Sequence, residues 1–461
     1  MTRRPFTVTL SRSYRGQRGA ATLIVVMLLF FIISMVAAYT SRNLIFEQRT
    51  SANQYRSTQA FEAAEAGLEW AIAQLNAGRI SNACASSTDV PSAANESFAQ
   101  RYLRVDSATG VITLRPVNAA KATTVQAKCV FDSRWRCACP VADDSASTAL
   151  GAAGGAGPAP AFTVRFVSDD SDQVGLRTDL IQLESNACTR LADSCVRFST
   201  GTSDDRGSSG DGVASTSVLL ALRGAVTRPP SGVLTVAGTL ADLPGGATLL
   251  LSNQEATASG LTLHTGGSNV PAVGLTLRGM PGTPPASTWQ SNDASLAPAA
   301  AGGFTTQDRR FAQFFGVRPA AYFGQPGMVT IDGSAGCAAA NVNEALRRNP
   351  GRAIRIQCTP LLIDADIGTA AAPVLLIVEG DVTFSAGVTA VGLIYGHIEP
   401  DWSWTVNGAA NIVGAVVAES NLTLAGASGA MVISYDKPTL TALRVSYGTF
   451  VRVPGSWKDF Q

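Results

Sequence analysis

One imidazole and two carboxylates fall within five residues at His397-Ile398-Glu399-Pro400-Asp401, the most tempting grouping in the chain for moving a proton or holding a metal. It lies between apolar runs, where a projecting polar loop is expected, and the other histidine, His264, stands in a separate β-like region. No Gly-x-Ser-x-Gly elbow, phosphate-cradling glycine loop or dinucleotide fingerprint occurs. Catalysis is not expected, and no catalytic residue or cofactor is assigned. Asp204, Asp205 and Asp211 are oxygen ligands of the type calcium takes. Their spacing fits no EF-hand pattern, so they read as a solvated loop and no metal site is assigned. Cys137-Ala138-Cys139 has no nearby histidine to complete a zinc site, and disulfide chemistry fits it better.

The chain has 8 cysteines, Cys84, Cys129, Cys137, Cys139, Cys188, Cys195, Cys337 and Cys358, all after an apolar N-terminal segment. An even number placed beyond such a segment fits an oxidising compartment. Cys188 with Cys195 would close a short loop, and Cys337 with Cys358 would bridge a short helix between them. The pairing of Cys84, Cys129, Cys137 and Cys139 stays open, since spacing alone does not fix connectivity.

These groups must be carried by elements whose topology the charges reveal. Basic and acidic residues nearly cancel, 35 against 34, so no global field recruits nucleic acid. Arg3, Arg4, Arg12, Arg15 and Arg18 nevertheless crowd the start, and the first acidic residue is Glu47. From Ala20 to Ala38 the sequence is uncharged and long enough to cross a hydrocarbon core of about 30 Å. The arginines precede it, which holds the N-terminus in the cytoplasm and sends everything after Tyr39 across the inner membrane. An ordinary secretory signal places small residues after its apolar stretch, whereas Gly19 stands before it, so the helix is expected to be retained.

The helical pattern continues unbroken to Leu75, where Asn76 and Gly78 supply a stop. A helix over that range would be about 84 Å long. Phe61, Ala64, Leu68, Ile72 and Leu75 recur at three- and four-residue steps, with Glu62, Glu65 and Glu69 on a neighbouring face. The spacing alone leaves open whether this seam packs on the chain's own head or on neighbouring subunits.

The run Gln17-Arg18-Gly19-Ala20-Ala21-Thr22-Leu23-Ile24-Val25-Val26, followed by Gln59-Ala60-Phe61-Glu62-Ala63-Ala64-Glu65-Ala66-Gly67-Leu68-Glu69, closely resembles the N-terminal module of PilX-type minor pilins. The resemblance covers about the first 75 residues. It implies cleavage by a prepilin peptidase between Gly19 and Ala20, N-methylation of Ala20, and a place among other major and minor pilins, with a tip adhesin as a further partner. Major pilins carry a glutamate at the fifth mature position, which pairs with a neighbour's N-terminus. Here that position is Ile24, so no such pair forms. A subunit lacking it suits a place with nothing ahead of it, as in the K-type minor pseudopilin of type II secretion. Two other readings stand beside pilus assembly: a head acting as adhesin or ligand-binding module, and membership of a type II secretion system. The ending, Val453-Pro454-Gly455-Ser456-Trp457-Lys458-Asp459-Phe460, also resembles the close of long PilX-like pilus assembly proteins.

The expected fold class is α+β, a long N-terminal transmembrane helix followed by a large β-rich head. The expected organisation is a leader over 1–19, the helix over 20–76, a disulfide-containing β-rich region over 77–230, and a solenoid-like β domain over 231–461. Low-complexity Gly151–Pro158 forms a soft linker. Thr389–Gly396 aligns with Asn411–Ala418 at an offset of 22 residues, and Asp381–Phe384 resembles Asn421–Leu424. That period fits one coil of a solenoid burying alternate Val, Ile and Leu, with glycines at the corners. An antiparallel sandwich is the competing architecture. Trp402 and Trp404 are expected to cap the stack, and amphipathic helices are expected over Thr305–Phe315 and Ala338–Arg348.

Overall fold

A computed structural model describes residues 18–89, 95–115, 126–140, 150, 159–167, 179–190, 212–333, 337–426 and 429–459. The leader before Arg18, the 151–158 linker, Cys195, Asp204, Asp205 and Asp211 lie outside the described residues. The chain divides into two compact units, Met1–Thr58 and Gln59–Gln461. Its class is α+β: helix α1 (Arg18–Leu75) precedes a head dominated by strands.

In the first unit every described residue from Ala21 to Thr58 is exposed. The large apolar side chains from Leu23 to Val36 are each 51–72% exposed.

In the second unit the end of α1 packs on an antiparallel sheet. The strands run in the order Gly448–Arg452, Val213–Gly224, Leu180–Cys188, Ala161–Val167, Ala127–Asp132, Arg134–Ala138. Ala63, Ala64, Leu68, Ala71 and Leu75 share one core with Phe162, Ile181, Leu183, Val218, Leu220 and Phe450. Phe98, from the short helix α2 (Phe98–Tyr102), fills the same core. Fully burying each leucine contributes roughly 1.5–3 kcal/mol.

Val213–Gly224 and Gly448–Arg452 are neighbours in that sheet, with Gly224 opposite Gly448. The chain between them forms a stack of parallel strands. Val388–Gly396 lies on Ala409–Ala418 with Thr389 opposite Asn411 and Gly396 opposite Ala418, the 22-residue alignment seen in the sequence. All pairings within this larger sheet are parallel, which sets the sandwich aside. A second parallel sheet, Leu361–Ile363, Val382–Phe384, Asp401–Val406 and Asn421–Ala425, closes the coils. Residues 231–278 complete the stack from the far side, because Thr248–Ser252 lies on Ala430–Tyr435 and Leu275–Arg278 lies on Thr248–Ser252.

Corners depend on glycine. Gly392 and Gly414 stack on each other at φ of 151° and 138°. A Cβ on either would meet a backbone oxygen at 1.9 Å, of Val374 and Gly392 respectively. Helices α3 (Thr306–Phe315), α4 (Pro319–Phe323) and α6 (Lys437–Val445) supply Phe311, Phe315, Tyr322, Leu440 and Leu443 to a core shared with Leu375, Ile377, Leu393, Tyr395 and Val417. Helix α5 (Ala339–Arg348) packs at the other end of the stack, between Cys337 and Cys358.

Two details differ from the sequence reading. The Asp381–Phe384 segment aligns with Asn421–Leu424 two residues out of register: Val382 lies opposite Trp404, and Trp404 opposite Leu424. Trp402 and Trp404 do not cap the stack. Both are fully buried in a strand between two others, because alternation on an extended backbone turns them, with Val406, toward the core.

Candidate functional site

The candidate functional element is α1, and its burial changes along its length. Gly19 and Ala20 fall in its opening turn, and Ile24 is exposed on it. Ala21–Leu75 is the one helix among the described residues long and apolar enough to cross a membrane, with an 18-residue window of mean hydropathy 2.8.

Of the seam residues, Ala64, Leu68 and Leu75 are fully buried and Ile72 packs at the rim of the same core, so over this stretch the seam faces the chain's own sheet. Close approach there rests on Gly67: a Cβ would lie 2.2 Å from Ser185 Oγ and 3.0 Å from Phe162. Mid-helix glycine costs about 1 kcal/mol against alanine, so its presence here answers to packing rather than to helix propensity.

Phe61, still 36% exposed, turns from the seam to meet Trp457 edge to face at 6.3 Å. The neighbouring acidic face holds the end of the chain. Trp457 Nε1 donates to Glu65 at 2.7 Å, and Arg452 pairs with Glu69 at 2.6 Å. Beyond Arg452 the tail stays on the sheet edge: Lys458 N–H donates to Ser217 C=O, and Ser217 N–H to Lys458 C=O.

Where α1 stops, Asn76 exchanges two hydrogen bonds with the backbone of Phe450. Arg352, nine-tenths buried, donates to the carbonyls of Leu75 and Gly448, and burial lowers its pKa to about 10. A cation at a helix C-terminus opposes the exposed carbonyl dipoles. Sequence reasoning missed Asn76 as a partner, Arg352 and Trp457, because each acts across a long separation.

The candidate chemical cluster is structural in form. His397 Nδ1 lies 2.6 Å from Glu419 Oε2, and Tyr395 Oη and Gln307 Nε2 donate to the same carboxylate. Glu399 pairs with Arg310 at 2.9 Å, while Asp401 accepts from Asn421. The grouping pins α3 to the coils, and burial against Glu419 drives the Tyr395 pKa well up. His264 is elsewhere, 2.7 Å from Asp293, whose pKa is lowered chiefly by hydrogen bonds from Ser295 and His264. No metal-holding group of His, Cys, Asp or Glu is found among the described residues.

Disulfides join Cys84 to Cys139, Cys129 to Cys137 and Cys337 to Cys358, the last across α5. Cys188 is also disulfide-bonded. Buried Arg101 donates to Ile80 C=O and Cys139 C=O, which fixes the loop that the first bridge closes.

Residues 18–69 match the family model described as PilX N-terminal. Among curated proteins none matches the chain. The crystal structure of competence-associated pilin ComZ from Thermus thermophilus aligns over 87% of this chain and 97% of its own, at 11% identity and a TM-score of 0.19. At that score the likeness carries no structural argument, and the placement rests on the N-terminal match and on α1. Over residues 18–69 the chain is similar to the PilX N-terminal family, on an apolar helix consistent with membrane anchoring that is joined to a large β-rich head.

Proposed function

We infer that the chain is a minor pilin of a type IV pilus, with a mechanical rather than catalytic role. A prepilin peptidase removes the leader between Gly19 and Ala20, and the new amine is methylated. The head faces the periplasm while the helix is in the inner membrane, then reaches the surface as the helix leaves lipid for a bundle of sibling helices. One observation carries the reading: Leu23–Val36 is apolar and unburied, while residues 60–75 of the same helix are fixed to the head. An apolar span of that length is stable only in lipid or among like helices, and passing from one to the other exchanges one apolar environment for another.

Ile24 in place of a glutamate favours a position at or near the tip, where no subunit ahead requires a counter-charge. Mass spectrometry of the mature N-terminus tests the class: methylated Ala20 is expected, and a chain beginning after Tyr39 overturns it. Immunolabelling of isolated pili tests the position, with label at filament ends expected and label along the shaft overturning it.

A further inference from the structure

A cleft of about 770 Å³ opens in the head where the coils meet the antiparallel sheet. Leu103, Val105, Leu222, Leu346 and Phe450 give it an apolar lining, while Arg79, Arg347 and Arg352 line it against a single carboxylate, Asp366. Glu344 already balances Arg347. Arg79 is held by the carbonyls of Arg347 and Asn95, and burial, followed by the nearby Arg347, lowers its pKa. Arg352 differs from both. It is only 7% exposed, its guanidinium donates to the uncharged oxygens of Leu75, Asn76 and Gly448, and its Nε has no partner among the described residues. No carboxylate offsets the burial that lowers its pKa. Tyr447, 9% exposed, lines the same cleft, and its hydroxyl also has no partner among the described residues.

We propose that this cleft binds a carboxylate carried on an apolar frame, a free organic acid or the last residue of a peptide, with Arg352 and Tyr447 holding the carboxylate. A buried cation without a counter-charge is costly, and an incoming anion recovers part of that cost. One guanidinium and one hydroxyl match the two oxygens and single charge of a carboxylate, and hydrogen bonds to an ionised acceptor are the strong ones. Inorganic phosphate would bring more oxygens and close to twice the charge, and would leave the apolar lining unfilled. Small-ligand sites hold roughly 300–1,000 Å³, with a few polar groups fixing one end of a ligand whose apolar body is buried. The lining residues all belong to the second unit, so the site is independent of whether Ala20 is processed.

The test titrates the full chain in detergent, by calorimetry, with phenylpropionate, its amide, a tripeptide ending in phenylalanine with a free carboxyl, and inorganic phosphate. Saturable binding of phenylpropionate or the tripeptide is expected, with the amide weaker by more than about tenfold. A tripeptide more than about tenfold tighter than phenylpropionate identifies a peptide end as the source, and equal or weaker binding identifies a free acid. Arg352→Gln should abolish binding, but it also removes a cap from α1, so two milder variants carry the test. Tyr447→Phe deletes a hydroxyl that has no partner, and should weaken binding about tenfold at an unchanged melting temperature. Ala371→Trp, at the exposed rim of the cleft, should block it. Equal affinity for acid and amide, phosphate bound as well as the acid, no binding of either acid at millimolar concentration, or unchanged affinity in both variants overturns the proposal.

Discussion

The Asn76 carboxamide behaves toward Phe450 as a neighbouring strand would: Nδ2 donates to the Phe450 carbonyl at 2.9 Å and Oδ1 accepts from the Phe450 N–H at 2.9 Å. The end of α1 is thereby joined to the final strand of the sheet, across 374 residues of sequence. Asn76→Ala would leave a buried donor and acceptor unpaired, at a cost of about 3 kcal/mol. Chemical denaturation of the detergent-solubilised protein would measure it. Asn76→Asp should cost nearly as much, because it keeps the acceptor but cannot donate to the carbonyl.

Gly67→Ala is expected to destabilise by roughly 1–3 kcal/mol, although the same change on an open helix would stabilise. The new methyl would meet Ser185 Oγ and Phe162. Adding Ser185→Ala should recover part of the loss, and a double-mutant cycle reports that coupling.

Trp457→Ala removes the hydrogen bond to Glu65 and the contact with Phe61. Global stability should fall by only about 1 kcal/mol, since the indole is half-exposed. Hydrogen exchange at Lys458 and Ser217, whose backbones bond each other, should accelerate first.

Phe30→Lys places a charge in the middle of the exposed apolar span and should oppose membrane insertion by roughly 2.5–3.5 kcal/mol. Carbonate extraction would show more protein released from membranes. The head should keep its disulfides and its resistance to protease, because Phe30 is exposed and belongs to none of the head's core clusters.

Glu344 accepts from Arg347 and Arg348 on α5, hydrogen bonds that hold its carboxyl near 2 against an ordinary 4.5. A lowered carboxyl pKa means the unfolded chain takes up the proton first as pH falls. The pair's contribution is therefore complete above about 4.5 and fades as pH drops toward 2. Glu344→Gln should lower the melting temperature slightly at pH 7 and leave it unchanged near pH 2, the effect being small because the group is solvent-screened.

The long helix was legible because its signals are local: an uncharged span, arginines before it, and an i, i+4 apolar seam. The coils were legible where the repeat is strict, as in Thr389–Gly396 over Asn411–Ala418, since stacked glycines and β-branched residues leave a period in the sequence. Register failed for Asp381–Phe384 because Val, Trp and Leu are interchangeable at an inward position, so similarity of type did not fix alignment. Glu419 lies one 22-residue period beyond His397, so the two meet up the stack rather than along the chain. Arg352, Trp457 and the return of Gly448–Arg452 to the antiparallel sheet leave no periodic trace, because they depend on contacts between distant segments.

Gly224 and Gly448 sit opposite each other on adjacent strands, so residues 225–447 depart from and come back to a single rung. Whatever occupies that interval has to bridge only one strand spacing, about 5 Å, however long it is. Extra coils would lengthen the excursion without moving its two feet, and the entropic penalty of closing a longer excursion grows only logarithmically. The architecture is thus a fixed socket with an exchangeable cassette, whose size can drift while the helix that mounts it stays the same.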